Sequence, residues 1–423
     1  MRILYLTQWF EPEPAFKGAA FAGALRDAGH EVEVVTGFPN YPGGKIYAGY
    51  RLRPFYREVV DGILVRRLLL WPSHDRSVPG RVANYLSFFV TALVYCLLNI
   101  RRFDLVYVYH PPITPALAAA LAGMIWKVPF VIDIQDLWPD SVAASGMGNV
   151  RLLRAIDRIC GLVYRRAAHI ICQSEGISKR LIERRVVSAK ITRVYNWSNY
   201  VHAKGEDAAI PSHIAQAMYG RLNVVYGGNI GQAQALETLI EAAVIANRIV
   251  PTIRLHIIGN GIERGDIVAA AAGASDVVLV HDAVPRTTMD RIFEKSDILA
   301  LHLKNDPLFE ITVPSKLQHY LSVGKPVIAG IGGEAARLLM ESGAARVAPP
   351  DDAAALSKCL VEVAQLDPVA RLSMGACGAR FYADKLSFEA GMQHTLDCLV
   401  HSAALRPAKI TETGSSKSTD VNR

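Results

Sequence analysis

The sequence predicts an α/β fold of two doubly wound domains facing a central cleft, and three observations lead there. At 423 residues, 51 % of them hydrophobic, the chain is too long for one ordinary core and fits two domains of roughly 150 to 200 residues each. Short apolar runs alternate with helical patterns in two successive series, as parallel strands joined by crossover helices do. Several of those runs end in glycine-rich turns that open the next helix, where such sheets bind ligands.

The first series opens on a buried strand at 2–6. Gln8 and the run Glu11-Pro12-Glu13-Pro14 interrupt its apolar character too soon for a secretory signal. Further strands are expected at 31–35, 63–69, 104–109, 129–134, 168–172 and 191–194, with helices starting near Lys17, Thr114, Val150 and Ser174. Residues 1–199 make the N-terminal domain. The stretch 200–220 turns polar and irregular and reads as a linker. A second series follows, with strands near 222–226, 253–258, 277–280, 297–301, 326–329 and 345–347, in a C-terminal domain spanning 221–380. A closing helix is expected over 381–405, and the Ser/Thr/Lys-rich residues 406–423 are expected to be disordered.

Composition narrows the function classes. The six cysteines lie far apart with no Cys-x-x-Cys pair, which speaks against a metal or redox couple and for reduced core thiols in a cytoplasmic protein. Nearly all of the formal charge of +7 sits in one segment: between Arg51 and Arg102 there are nine arginines against three acidic residues. That segment encloses a charge-free run, 84–100, with arginines and tyrosines near both ends and Trp71 close by. A buried core helix, a helix lying in an anionic membrane interface, and a transmembrane span all remain open for it. Nucleic acid is not expected as a partner.

Candidate chemistry sits on four turns. Val224-Val225-Tyr226-Gly227-Gly228-Asn229-Ile230-Gly231 follows a strand and precedes a helix, a pattern that offers backbone N–H groups to a phosphate or forms a plain tight turn. Gly259-Asn260-Gly261 has the same logic and suits approach to a base or ribose. Asp306 to Tyr320 carries Glu310, Ile311, Thr312, Lys316 and Gln318 on a loop entering a helix, whose N-terminus favours a diphosphate. In the first half, Asp133-Ile134-Gln135-Asp136-Leu137-Trp138-Pro139-Asp140-Ser141 puts three acids and a Trp at a strand end, unusual for pure packing. Asp136 is the site candidate there, and His110 a weaker one.

At these residues the chain resembles glycosyltransferase family 4, retaining enzymes with the GT-B fold of two Rossmann-like domains. Within it, the bacterial polysaccharide branch of L-fucosamine and colanic-acid-type transferases is the most similar. Asp136 to Ser141, Asn196-Trp197, Tyr226 to Gly231, Pro314-Ser315-Lys316 and Gly324-Lys325-Pro326-Val327-Ile328 carry the likeness. The resemblance implies a UDP- or GDP-sugar donor held by the C-terminal domain, no obligatory metal or other cofactor, and an acceptor glycan on polyprenyl diphosphate held by the N-terminal domain. The sugar it suggests is an N-acetylated amino sugar such as N-acetyl-L-fucosamine, added to a cell-surface polysaccharide or lipopolysaccharide. It implies an enzyme peripheral on the cytoplasmic face of the plasma membrane.

By that resemblance Gly228, Asn229, Ile230 and Gly231 with Lys316 meet the diphosphate, and Glu310 the sugar hydroxyls. Gly259, Gly261, Ile311 and Thr312 complete the donor site, and Asp136 serves the acceptor side. The family pattern has a glutamate where this chain has Gln318, the expected ribose contact, so Gln318→Glu is expected to be tolerated and to tighten donor binding. A nucleotide-sugar epimerase and a non-catalytic scaffold are the rival readings.

Overall fold

The structure is a computed structural model that describes residues 1–54, 56–73, 78–144, 150–198 and 209–406. It divides into two compact units, Met1–Ile170 with Leu396–Arg423, and Ile171–Thr395.

Eight strands form the first sheet: β1 (Arg2–Leu6), β2 (Glu31–Gly37), β3 (Tyr56–Val60), β4 (Ile63–Leu68), β5 (Leu105–His110), β6 (Phe130–Ile134), β7 (His169–Cys172) and β8 (Ile191–Arg193). Their order is β3-β4-β2-β1-β5-β6-β7-β8. From β4 to β6 the pairings are parallel, and every residue of β5 and β6 is buried, as continuous apolar runs covered on both faces require. Strand β3 escaped the sequence reading. It pairs antiparallel with β4 at the sheet edge, closing a hairpin through Asp61 and Gly62 at φ 50° and 78°; Arg57 is exposed, whereas Glu58 on the other face is only partly so.

The basic segment is partly consumed by this sheet. Arg66 pairs with Glu33, and the buried Arg67 pairs with Glu58 and donates to the carbonyls of Gly37 and Glu11. Deep in the same unit Lys17 and Asp133 form an ion pair with both side chains fully buried; Tyr107 Oη and Gln135 Nε2 each donate to Asp133 at 2.6 Å.

The charge-free run forms the helix Val78–Asn99. The buried-helix alternative holds for one face only. Asn84, Phe88, Ala92 and Cys96 pack inward, while Val82, Leu86, Val90, Val94 and Leu98 form an exposed stripe at i, i+4 spacing, Leu98 reaching 77 % exposure. With its continuation to Arg102 this helix is long and apolar enough to cross a membrane by length and composition. Beside its C-terminal end Arg101 lies over the exposed Trp126 ring at 4.7 Å.

The second sheet contains β9 (Leu222–Gly227), β10 (Ile253–Ile258), β11 (Val278–His281), β12 (Ile298–His302), β13 (Val327–Gly330) and β14 (Ala345–Ala348), all near the positions expected. The order is β11-β10-β9-β12-β13-β14 and every pairing is parallel. Val224 and Tyr226 point into the core on one face, Val225 into the core on the other. Part of the segment read as linker, 200–208, lies outside the described residues, as does most of the tail, 407–423. Ser212–Met218 is not irregular: it is a helix whose Ile214 and Met218 are buried in the second core. The chain closes through the helices Pro368–Lys385 and Phe388–Ala403, and Arg406 then bonds Asp104 at 3.1 Å.

Candidate active site

In the second sheet the strand order reverses between β9 and β12, so a crevice opens at their carboxyl ends. Register places Gly227 of β9 beside Ile258 of β10, which brings both glycine turns to this crevice. They lock together: Gly228 N–H donates to Ile258 O and Ile230 N–H to Asn260 O, each at 2.9 Å. Gly231 N–H and the Asn229 amide both donate to Gln234 Oε1, at 3.2 and 3.1 Å. A Cβ on Gly259 would stand 1.8 Å from Gly228 O, and one on Gly261 2.0 Å from Ile230 O. The N–H groups of Gly228, Ile230 and Gly231 therefore already have protein partners. What the turn offers an anion is close approach of bare backbone.

The positive charge comes from Lys316, in the first turn of the helix Ser315–Val323. Its Nζ lies 4.9 Å from the centre of the Tyr226 ring, and a Cβ on Gly228, whose φ is +131°, would come within 2.6 Å of Lys316 Cε. Among the described residues no carboxylate pairs with this ammonium, and burial pulls its pKa down to about 8. A cation held partly out of water, with no carboxylate beside it among the described residues, is chemically suited to an anion.

Glu310 ends the short helix Pro307–Glu310 with its side chain exposed. Its backbone is fixed by Gly333, at φ +64°, where a Cβ would meet Glu310 O at 2.1 Å. Ile311 O accepts from Ser174 Oγ at 2.8 Å, and Thr312 Oγ1 donates to Leu308 O at 2.7 Å.

Gln318 departs from expectation. It is 1 % exposed, and its amide nitrogen, in the orientation its neighbours require, donates to Pro314 O at 2.8 Å and Ser315 O at 3.2 Å. The amide nitrogen is spent on its own helix. A glutamate there would set a buried carboxylate against two carbonyl oxygens, so Gln318→Glu is expected to cost about 3 kcal/mol of stability, read as a lowered denaturant midpoint. An unchanged midpoint would restore the earlier expectation.

A cavity of about 490 Å³ extends from the glycine turns, lined among others by Gly228, Asn260, Val284, Arg286, Asp290 and His319. Its volume suits a nucleotide. Arg286 and Asp290 were missed in the sequence. They belong to the helix Arg286–Lys295, and the only local signal is the polar turn after β11, Asp282 to Pro285.

In the first unit the acidic strand end separates into roles. Asp133 is structural, through Lys17; Asp140 begins the helix Asp140–Ala144. The Asp136 side chain reaches solvent, yet the protein around it pushes its carboxyl above the usual carboxylate range. His110, at the end of β5, is fully buried with neither ring nitrogen hydrogen-bonded; burial depresses its pKa to about 3. It meets Trp138 edge-on at 6.0 Å, and Trp138 in turn meets Tyr85 at 6.0 Å.

This architecture is shared with solved glycosyltransferase structures. Anabaena Alr3699/HepE in complex with UDP superposes with a TM-score of 0.62 at 14 % identity, covering 95 % of this chain and 100 % of that one. The α,α-trehalose 6-phosphate synthase of Burkholderia multivorans gives 0.67 at 13 % identity, covering 95 % and 97 %. The fold is therefore GT-B, two Rossmann-like domains with a nucleotide-sized crevice in the second.

The glycosyl transferase 4-like domain family matches residues 19–197, and the glycosyl transferases group 1 family matches 221–365. The chain belongs to the family-4 glycosyltransferases. WcaI of Escherichia coli (strain K12), which carries the name of a colanic acid biosynthesis glycosyl transferase, is 25 % identical over 52 % of this chain and 56 % of its own length. WbjE of Pseudomonas aeruginosa, which carries the name of a glycosyltransferase, is 23 % identical over 60 % of this chain and 63 % of its own. The chain thus spans somewhat more than half the length of these two relatives.

Proposed function

We propose that the protein is a retaining glycosyltransferase that moves a sugar from a nucleotide diphosphate sugar to a lipid-carried glycan during cell-surface polysaccharide synthesis. Lys316 is the observation that carries the reading. Breaking a glycosyl–phosphate bond leaves negative charge on the diphosphate, and a preorganised, partly desolvated cation beside bare glycine backbone stabilises that charge most where water is excluded. No metal is required in this scheme, so chelation should leave turnover unchanged. Glu310 is assigned to the donor sugar hydroxyls and Asp136 to the acceptor hydroxyl; the name borne by WcaI supports a polysaccharide product. Transfer or hydrolysis assayed across UDP- and GDP-sugars, N-acetyl-L-fucosamine donors included, tests the reading. Interconversion of the donor without transfer would make it an epimerase; binding without any turnover, a scaffold.

The acceptor's lipid anchor places the work at the cytoplasmic membrane face. The exposed stripe Val82 to Leu98, with Trp126 and Trp71, offers apolar burial, and Arg81, Arg101 and Arg102 offer charge. Sedimentation with vesicles rich in anionic lipid is expected, weakened by salt. Changing those three arginines to Gln should lower the partition about a hundredfold, at about 1 kcal/mol per basic residue. A folded variant that pellets like the wild type would remove these residues from the membrane contact.

A further inference from the structure

We propose that Asp290, which lies against His319, holds the ribose hydroxyls of the donor nucleotide, so that the ribose carboxylate of this enzyme stands on the helix Arg286–Lys295 rather than on the helix of Gln318. The inference rests on the nucleotide-sugar reading above.

Asp290 is 4 % exposed and lines the nucleotide-sized cavity. Its Oδ1 lies 2.9 Å from His319 Nε2 but outside hydrogen-bonding alignment, and accepts no hydrogen bond. A buried carboxylate oxygen left in that state costs free energy unless a donor arrives. An ionised carboxylate only accepts, so its natural partner is a group that donates, and the two vicinal hydroxyls of a ribose present paired O–H donors.

Position decides between ribose and base. His319 is three residues beyond Lys316 on one helix, so about 4.5 Å further along its axis than the diphosphate cation. The ribose is the covalent neighbour of the diphosphate; the base lies one unit further out, toward Val284 and Arg286 on the cavity wall. Gln318 commits its amide nitrogen to Pro314 and Ser315, which leaves at most a neutral carbonyl oxygen for a hydroxyl.

The test is calorimetric titration of the full chain with UDP and GDP, each beside its 2′-deoxy and 3′-deoxy counterparts. Wild type should bind the better ribonucleotide at least tenfold more tightly than its deoxy forms. Asp290→Asn, with its thermal transition intact, should lose about that factor for the ribonucleotide and almost nothing for the deoxy forms. Wild type that binds ribo and deoxy forms equally overturns the proposal without any variant. So does an Asp290→Asn protein that weakens all forms by one common factor, which would assign the carboxylate to the base. Failure of wild type to bind any of these nucleotides would instead bring down the nucleotide-sugar reading itself, and this proposal with it.

Discussion

Lys316→Met is expected to lower donor turnover by roughly 10²- to 10³-fold, the loss typical of removing one preorganised charge-stabilising group. The same change should leave the unliganded protein slightly more stable, by about 1 kcal/mol, because it removes a desolvated cation that no carboxylate among the described residues neutralises. Opposite signs on activity and stability separate a binding role from a structural one. Burial lowers this lysine's pKa to about 8, so the free protein holds the charge below that pH and loses it above. UDP affinity should accordingly fall as pH rises through about 8, and the Met variant should show no such slope. Calorimetric affinities at several pH values, beside thermal transitions of both proteins, decide the point. A variant that binds UDP like the wild type would take Lys316 out of the diphosphate site.

Much of this was legible in the sequence because it is written locally. Fully buried parallel strands such as β5 and β13 are largely apolar runs, and turns where a Cβ cannot fit must be glycine, as Gly228 and Gly259 show. Strand β3 was illegible because its five residues carry two adjacent charges, Arg57 and Glu58, and no apolar alternation, though Asp61-Gly62 marked its hairpin. Asp290 was illegible for another reason: nothing around it forms a motif, and only the packing of its helix beside the one bearing His319 brings it to the cavity. Gln318 shows the converse. Its position in the family pattern suggested a ribose contact, but the direction a side chain takes from a helix depends on what that helix is packed against, and here it turns back to Pro314 and Ser315. The stripe along Val78–Asn99 stood between the two cases: its apolar character was visible, whereas the division into a buried and an exposed face required β4 and the helix Ile113–Trp126 to be in place.

Asp133→Ala is expected to be the most destabilising single change in the first unit, at about 3–5 kcal/mol, or a thermal transition lowered by about 10 °C. Asp133 and Lys17 are 116 residues apart in sequence, both side chains are fully buried, and the ion pair ties the segment just before the helix Ala19–Asp27 to the end of β6. Removing the carboxylate takes from the Lys17 ammonium its ion pair in a low-dielectric core and from Tyr107 and Gln135 the acceptor to which each donates at 2.6 Å. Most of the loss is thus the cost of the orphaned groups, not the intrinsic strength of the pair. That distinction can be measured. Replacing both partners together, Lys17→Met with Asp133→Leu, should be clearly less damaging than Asp133→Ala alone, because no charge is left buried, although Tyr107 and Gln135 keep part of the penalty. Because Asp133 is committed to this network while Asp136 reaches solvent three residues on, the double variant should retain measurable transfer activity at low temperature. A double variant less stable than Asp133→Ala would mean that the pair contributes net stability of its own, and a folded double variant without activity would draw Asp133 into the acceptor site.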